Sequence, residues 1–380
     1  MKNSKIRIWL AIILFFVCFA ISYKQSLMPG TDLFIHNHEF ASTSNIFQMK
    51  LSYPMYHWMI IMIRQIGNIV FPGKISVDFA GAFCMGLIEV SIYVLTDKVL
   101  IMYGVKQSWL VSFVLCIVTA IWCPFYNLNV YLGQGSPNTW HSPTNMMVKP
   151  FTILLFFRVV KLLKKIQSNE TINSKEYILL SFLLGLSTLA KPSFYQGFIP
   201  ALFLYCVVSS FAARFNHIKQ YFILGLSIVP ATLIIIFQMF SNFYAEAEGI
   251  GIGWFLVPKL YSPNVVISLL LLLCFPICYT IFYKDHLKRL EFKLAWYYFI
   301  VSYMEYGLLY EKGDRFTHGN FGWAYSLAAF ILFTVTTASL FCNYEKESRK
   351  SRILTGIWLI HGFSGIAYIL ILLFIPNIWF

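Results

Sequence analysis

The chain has 380 residues, of which 58% are hydrophobic and 12% are charged. A soluble domain is typically about 45–50% apolar and about 25% charged, so this composition excludes an ordinary soluble protein. The formal net charge of +13 lies in short basic clusters between apolar runs, which is typical of cytoplasmic loops and argues against nucleic-acid binding.

Apolar runs of about 18 or more residues recur along the whole chain, and such runs can cross a hydrocarbon core of about 30 Å. The sequence therefore predicts an all-α polytopic membrane protein. Residues 1–380 are expected to form one integral membrane domain without a separate soluble domain. About eleven spans are predicted, at 8–23, 77–97, 107–124, 145–163, 176–191, 196–213, 221–242, 263–283, 293–311, 322–342 and 353–375.

The stretch 54–72 is apolar but contains His57 and Arg64. The basic N-terminus and the basic loops all fall on the cytoplasmic side only if this stretch does not span. We therefore expect an amphipathic juxtamembrane helix on the outer surface, within a first outer loop at 24–76. The chain is predicted to be a multi-pass protein of the plasma membrane, with its N-terminus in the cytoplasm and its active site facing outside.

Four titratable residues follow the first span, in the segment PGTDLFIHNHEF at 29–40: Asp32, His36, His38 and Glu39. If this segment is helical, Asp32, His36 and Glu39 lie on one face. A carboxylate and an imidazole at this spacing can share a proton, which general-base catalysis requires. The alternative interpretation is a solvated polar loop.

This N-terminal layout resembles the GT-C class of membrane glycosyltransferases. In its protein O-mannosyltransferase and lipid A aminoarabinose transferase branches, an acidic residue early in the first outer loop is assigned as the catalytic base. A Pro-Pro-Leu-type motif then opens a surface helix. Asp32 stands at the acidic position here, and YPMYHW at 53–58, which includes His57, is similar to the second motif with one proline instead of two. Leu33 follows Asp32 where several branches have a second acidic residue, so His36 and Glu39 are expected to take its place.

Further candidate substrate-binding residues lie in the second outer loop, in GQGSPNTWHSPTN at 133–145. Trp140 offers a flat indole on which a sugar ring can stack, and Asn138 and His141 offer hydrogen bonds to hydroxyls. The alternative is a capped turn in which Trp140 is an interfacial anchor, as is common in aromatic belts.

The segment AKPSFYQ at 190–196 places Lys191 and Gln196 at the outer tip of two spans. Lys191 is either a compact positive charge for a lipid-linked phosphate or a lysine that snorkels to headgroups.

The next outer loop carries Glu246 and then GIGIGW at 249–254. This spacing is not a nucleotide-binding fingerprint and predicts a flexible flap. In the GT-C resemblance, a loop at this position helps to frame the lipid donor site.

The last outer loop, YEKGDRFTHGNFGW at 310–323, carries Arg315, His318 and Asn320. Arg315 is the best candidate for bidentate hydrogen bonding to a phosphate. The alternative is an internal salt bridge from Arg315 to Asp314 or Glu311.

The resemblance implies a glycosyltransferase that moves a sugar from a polyprenyl-phosphate-linked donor to a cell-surface glycan or lipid acceptor, with Asp32 as general base. Its expected partners are membrane lipid, this donor and the acceptor. No cofactor or metal is expected, and the eight cysteines form no CxxC pair.

One alternative is a polymerase or ligase of undecaprenyl-linked glycan, disfavoured by the few outer arginines. A transporter is disfavoured because no repeat is visible and Glu89 is the main mid-span charge. An acyl or phosphoryl transferase of the same layout stays open.

Overall fold

A computed structural model describes residues 2–40, 53–128, 130–243, 249–342 and 348–375 of the chain. Helices make up most of these ranges. The α-helices found there are α1 Lys2–Ser26, α2 Asp32–Ile35, α3 Met55–Val70, α4 Val77–Met102, α5 Ser108–Ile117, α6 Pro143–Gln167, α7 Ser174–Ala190, α8 Ser193–Ala212, α9 Ile218–Leu226, α10 Val229–Phe243, α11 Leu256–Tyr261, α12 Val265–Phe282, α13 Leu290–Leu308, α14 Gly322–Cys342 and α15 Arg349–Phe374. Two π-helical turns, two 3-10 turns and two strands complete them: His36–Phe40, Val130–Gln134, Lys284–Lys288, Gly313–His318, β1 Ile250–Ile252 and β2 Leu309–Glu311.

Six helices in the described ranges are long and apolar enough to cross a membrane: α1, α4, α8, α12, α14 and α15. A seventh crossing results if α9 and α10, which meet at a bend of 41°, form one span. The prediction of an all-α, membrane-embedded protein is thus confirmed. Each of the eleven predicted spans contains a helix, but α5 has only 10 residues and α7 has 17. The count of eleven therefore stays a prediction.

Polar residues begin several of the helices by capping free backbone N–H groups. The Ser76 hydroxyl accepts a hydrogen bond from Phe79 N at the start of α4. The Asn264 side chain accepts two, from Val266 N and Ile267 N, at the start of α12. Because these caps stand just before apolar runs, the sequence determines where the helices begin.

Helix α3 occupies most of the predicted juxtamembrane stretch 54–72, so the predicted helix is present. Tyr56 and Ile60 are fully buried on the face that packs against α4 and α6, whereas Ile66 and Ile69 on the other face are exposed. This two-sided pattern fits an amphipathic helix, and its position relative to a bilayer stays a prediction.

Residues Ile250–Ile252 of the GIGIGW segment form a short strand, and the flexibility predicted for this loop stays a prediction. Strand β1 pairs antiparallel with β2, with Gly251 opposite Tyr310. A Cβ atom on Gly251 would lie 2.3 Å from a ring carbon of Tyr310. The glycine is therefore needed because the tyrosine ring lies directly against the strand.

Ion pairs join the helices at one end of the bundle, near the starts of α1, α7 and α13 and the ends of α4 and α6. The pairs are Arg7–Asp97 at 2.8 Å, Lys164–Glu291 at 2.8 Å and Lys165–Glu176 at 2.6 Å. Half-buried pairs of this kind link neighbouring helices, and the candidate residues of the outer loops lie at the opposite helix ends.

Glu89 and Lys149, each 1% exposed, lie deep inside the bundle. Glu89 on α4 is buried, near the Lys149 ammonium of α6 and the Cys116 thiol of α5. The sequence singled out Glu89 as the main mid-span charge. It did not single out Lys149, which is only 1% exposed.

We predict that Gly365→Ala strongly destabilises the protein. A Cβ atom there would lie 1.7 Å from the Ile117 carbonyl oxygen, and a backbone atom cannot turn aside as a side chain can. Overpacking typically costs about 1–3 kcal/mol and sometimes more. The matched control is Gly356→Ala on the same helix, where nothing lies within 4 Å and alanine favours helix by about 1 kcal/mol. Thermal melting of both purified variants tests this, and equal melting temperatures would contradict it.

Candidate functional site

Asp32 is held at the first residue of α2 by the turn that precedes it. The Thr31 hydroxyl accepts a hydrogen bond from Phe34 N at 3.1 Å and donates one to Gln25 O at 2.7 Å. Gly30, with φ of +90°, allows the chain to reverse between α1 and α2. The cap therefore fixes Asp32 close to the end of α1.

Residues from distant parts of the chain influence the electrostatics of Asp32. Burial raises the pKa of Asp32 above its usual value, and the nearby Lys191 ammonium, Ser142 hydroxyl and His318 oppose this rise. Burial also lowers the pKa of Lys191, to about 8, against the pull of Asp32 and Glu311. A carboxyl with a raised pKa beside a lysine with a lowered one is typical of a functional site.

The Lys191 side chain lies between aromatic rings at the break between α7 and α8. Its Nζ atom is 4.7 Å from the centroid of the Trp323 ring and 5.9 Å from that of Tyr53. Such cation–π contacts position an ammonium without neutralising it. The lysine is therefore oriented inward rather than extended to solvent.

Three neutral imidazoles lie at this end of the bundle, and two of them, His36 and His141, are near Lys191. His36 Nδ1 and His57 Nε2 lie 3.2 Å apart. Burial, then the charge on His57, lowers the pKa of His36 well below its usual value, and burial lowers that of His57 to about 4. His141 stacks on Tyr131 at 3.8 Å, and burial followed by the charge on Lys191 lowers its pKa to about 3. Near neutral pH these rings offer hydrogen bonds rather than charge. His36 is thus hydrogen-bonded to His57, and the predicted proton sharing between His36 and Asp32 stays a prediction.

The last loop supplies a carboxylate with one oxygen already held. The Asn320 amide donates a hydrogen bond to Glu311 Oε2, and Trp323 Nε1 donates to Asn320 Oδ1 at 3.2 Å. Glu311 is the last residue of β2, so the pairing of β2 with β1 sets its position. Asn320 thus links Trp323 to Glu311 and holds one oxygen of the Glu311 carboxylate in place.

A cavity of about 320 Å³ opens beside these residues. Its lining combines Lys191, Arg315, Glu311, Asn320, Gln196, Gln238 and Ser193 with the rings of Tyr53, Tyr195 and Phe321 and with Pro192, Ile235, Ile250 and Leu309. Lys191 connects this cavity to Asp32. Two cationic side chains face it together with apolar walls, a combination that suits a phosphate group attached to a lipid.

The structure gathers most of the predicted site residues at this end of the bundle. Those brought around Asp32 or the cavity are His36, His57, His141, Lys191, Gln196, Arg315, His318 and Asn320. His38 instead pairs with Asp78, its Nε2 lying 2.9 Å from Asp78 Oδ1. Glu246 and the side chain of Glu39 lie outside the described residues.

Two predicted sugar contacts are buried in the helix bundle. Trp140 is 4% exposed, so its indole offers no open stacking face. The Asn138 amide donates to Leu115 O and Val118 O, each at 2.9 Å, and accepts a hydrogen bond from Lys149. The structure gives Asn138 a structural role, because the protein itself uses its hydrogen-bonding groups.

Several residues of the site were not among the predicted ones: Tyr53, Ser142, Ser193, Gln238, Glu311 and Trp323. Tyr53 begins the YPMYHW segment and Trp323 ends the YEKGDRFTHGNFGW segment, but nothing local distinguishes them from aromatic anchors. Among the described residues, no group of three or more His, Cys, Asp or Glu could hold a metal ion.

No protein-family model, no curated protein and no solved structure matches the chain.

Proposed function

We propose that this chain is a membrane glycosyltransferase that transfers a sugar from a polyprenyl-phosphate-linked donor to a glycan or lipid acceptor. The site would lie on the outer face of the plasma membrane, as the charge pattern of the loops predicts. The observation that carries the proposal is that Lys191 and Arg315 line one cavity and that Lys191 also lies near Asp32, although the three residues come from separate segments of the chain.

The reaction follows from the chemistry of these groups. The Asp32 carboxylate accepts the proton of an acceptor hydroxyl while that oxygen attacks the anomeric carbon of the donor sugar. The bond from this carbon to the phosphate oxygen breaks, and polyprenyl phosphate leaves from the opposite face, which inverts the anomeric carbon. Lys191 and Arg315 balance the negative charge that grows on the leaving phosphate. His36, His57 and His141, being neutral, would orient hydroxyl groups.

The first experiment measures binding of the leaving group. The full chain in lipid nanodiscs is titrated with undecaprenyl phosphate and, separately, with undecaprenol, which lacks the phosphate. We expect the phosphate to bind at least about tenfold more tightly, because charged hydrogen bonds supply the difference. Equal binding of the two lipids would overturn the assignment of the cavity.

Arg315→Gln is expected to weaken undecaprenyl phosphate binding by about 10- to 100-fold, since a charged hydrogen-bonding group at the cavity is lost. Lys312→Gln is the matched control, because Lys312 is exposed in the same loop and does not line the cavity. Loss of affinity of similar size in both variants would show that the loop acts only through its net charge.

The second experiment tests transfer itself. Proteoliposomes are supplied with a panel of undecaprenyl-phosphate-linked hexoses and aminopentoses, each with a radiolabelled sugar, and release of undecaprenyl phosphate is measured. Consumption of one donor supports the proposal. Failure with every donor, together with solute uptake by vesicles that hold no lipid-linked sugar, would identify a transporter instead.

A further inference from the structure

Glu311 places a negative charge in a cavity whose cations suit a phosphate. It lines this cavity together with Lys191 and Arg315. A carboxylate repels a phosphate and so weakens the binding that the two cations provide. The proposed transfer step makes no use of Glu311, because Asp32 is the base. The carboxylate therefore needs a partner in another part of the ligand.

The described part of the chain leaves most of the hydrogen-bonding capacity of this carboxylate unused. The Asn320 amide donates to Glu311 Oε2, and no other described group donates to the carboxylate. Glu311 takes part in none of the ion pairs between described residues, so the salt bridge from Arg315 considered above is not formed. An ionised carboxylate has about four acceptor positions, of which about three remain for a ligand.

The carboxylate is held in place from two sides. Glu311 ends β2, whose pairing with β1 continues beyond it as the Lys312 N–H donates to Gly249 O at 2.8 Å. On the other side, Trp323 Nε1 donates at 3.2 Å to Asn320, which in turn donates to Glu311. An acceptor fixed in this way loses little freedom when a ligand binds, so it can discriminate between ligands.

The rest of the cavity offers what a sugar ring requires. The rings of Tyr53, Tyr195 and Phe321 line it and can pack against the apolar face of a sugar. Gln196 adds an amide, which can donate to and accept from hydroxyl groups. Hydroxyl groups also donate to carboxylates, and hydrogen bonds to an ionised acceptor are about twice as strong as neutral ones. A sugar hydroxyl is thus the partner that Glu311 lacks.

An ammonium group on the sugar fits this cavity less well. Lys191 and Arg315 line the same cavity, so an ammonium that reached Glu311 would also meet their positive charges. Hydroxyl groups carry no such penalty. The cavity therefore favours a neutral sugar.

We infer that Glu311 determines donor specificity, by accepting hydrogen bonds from hydroxyl groups of the transferred sugar and favouring a neutral sugar over an amino sugar. The inference rests on the proposed function, because it takes the cavity as the site of a polyprenyl-phosphate-linked sugar. One residue then attracts the sugar and repels the phosphate. The loaded donor is retained, whereas polyprenyl phosphate, once it has lost the sugar, is released.

The test compares lipids with and without a sugar. The full chain in lipid nanodiscs is titrated with undecaprenyl phosphate and with the same lipid linked to glucose, galactose, mannose or aminoarabinose. Dissociation constants are measured for each lipid. In the unchanged protein, one of the three hexose-linked lipids should bind at least about tenfold more tightly than the aminoarabinose-linked lipid.

Glu311→Gln keeps the size of the side chain and an acceptor for Asn320 but removes the charge. It should weaken binding of that hexose-linked lipid by about tenfold or more, because hydrogen bonds to a charged group are lost. It should tighten binding of undecaprenyl phosphate by about threefold or more, because a repulsive charge is lost. Opposite changes for the two lipids distinguish recognition of the sugar from general damage to the site.

Two further variants separate the position of the charge from its presence. Glu311→Asp retains the charge but withdraws it by one methylene, so it should weaken binding of the hexose-linked lipid without tightening that of undecaprenyl phosphate. The matched control is Asp314→Asn, because Asp314 is exposed in the same loop and does not line the cavity. It should change the two affinities little and in the same direction.

Three results would overturn the inference. If undecaprenyl phosphate binds the unchanged protein but Glu311→Gln leaves the hexose-linked lipid unaffected, or shifts both lipids in the same direction, the inference fails and the proposed function stands. If the aminoarabinose-linked lipid binds most tightly and Glu311→Gln abolishes this preference, the partner of Glu311 is an ammonium and not a hydroxyl. If undecaprenyl phosphate does not bind the unchanged protein, the proposed function fails and the inference fails with it.

Discussion

Asp32→Asn is expected to slow sugar transfer by about 10²- to 10⁴-fold, the usual contribution of a general base. Asparagine keeps the size of the side chain but cannot accept the proton of the acceptor hydroxyl. Binding of undecaprenyl phosphate should change little, because Asp32 does not line the cavity that holds Lys191 and Arg315. The measurement is the initial rate of undecaprenyl phosphate release from the donor that the panel identifies.

The pH profile of transfer gives a second view of the same residue. Only the carboxylate form is a base, so the rate should rise with pH as Asp32 loses its proton. Since burial raises the pKa of Asp32, this rise should occur above the usual range of an aspartate. Lys191 opposes the shift, so Lys191→Gln should move the rising limb to still higher pH.

Asp78→Asn is the matched control for Asp32→Asn. Asp78 is another carboxylate near the first outer segment, but it pairs with His38 rather than with Lys191. Its substitution should leave transfer within a few-fold of the unchanged protein. A rate for Asp32→Asn that equals this control would remove Asp32 from the role of base.

Lys191 is expected to make lipid-phosphate binding depend on pH near 8. Because burial lowers its pKa to about 8, the side chain is an ammonium below this pH and a neutral amine above it. Affinity for undecaprenyl phosphate should therefore fall by about 10- to 100-fold as the pH rises through this value. The phosphate, with a second pKa of about 6, is already doubly charged there and does not cause the fall.

Two variants isolate the contribution of Lys191. Lys191→Gln should bind weakly at neutral pH and lose the pH dependence, whereas Lys191→Arg keeps its charge and should bind across the whole range. Lys259→Gln, which removes an exposed lysine of α11, should retain the fall near pH 8. If Lys191→Gln also retained that fall, another group would be responsible for it.

Much of the fold follows from the sequence, for reasons that are local. A capping residue in front of an apolar run sets the start of the helix, as Ser76 does for α4 and Asn264 for α12. The apolar side chains of the run favour its removal from water. The same holds for α3, whose alternation of buried and exposed faces predicts an amphipathic helix. Strand β1 was missed because its glycine, Gly251, lies against the ring of Tyr310, which is far away in the sequence.

For the candidate site too, the sequence determines some features and the tertiary structure determines others. The chemistry of Asp32, Lys191 and Arg315 makes them candidates wherever they lie, so the sequence alone singles them out. Their convergence, the pairing of His36 with His57 and the fastening of Asn138 by Lys149 were decided only by tertiary structure. The physical reason is that charge and hydrogen-bonding capacity belong to a residue, whereas burial and partners belong to its surroundings. Those surroundings are built here from helix ends that are distant along the chain.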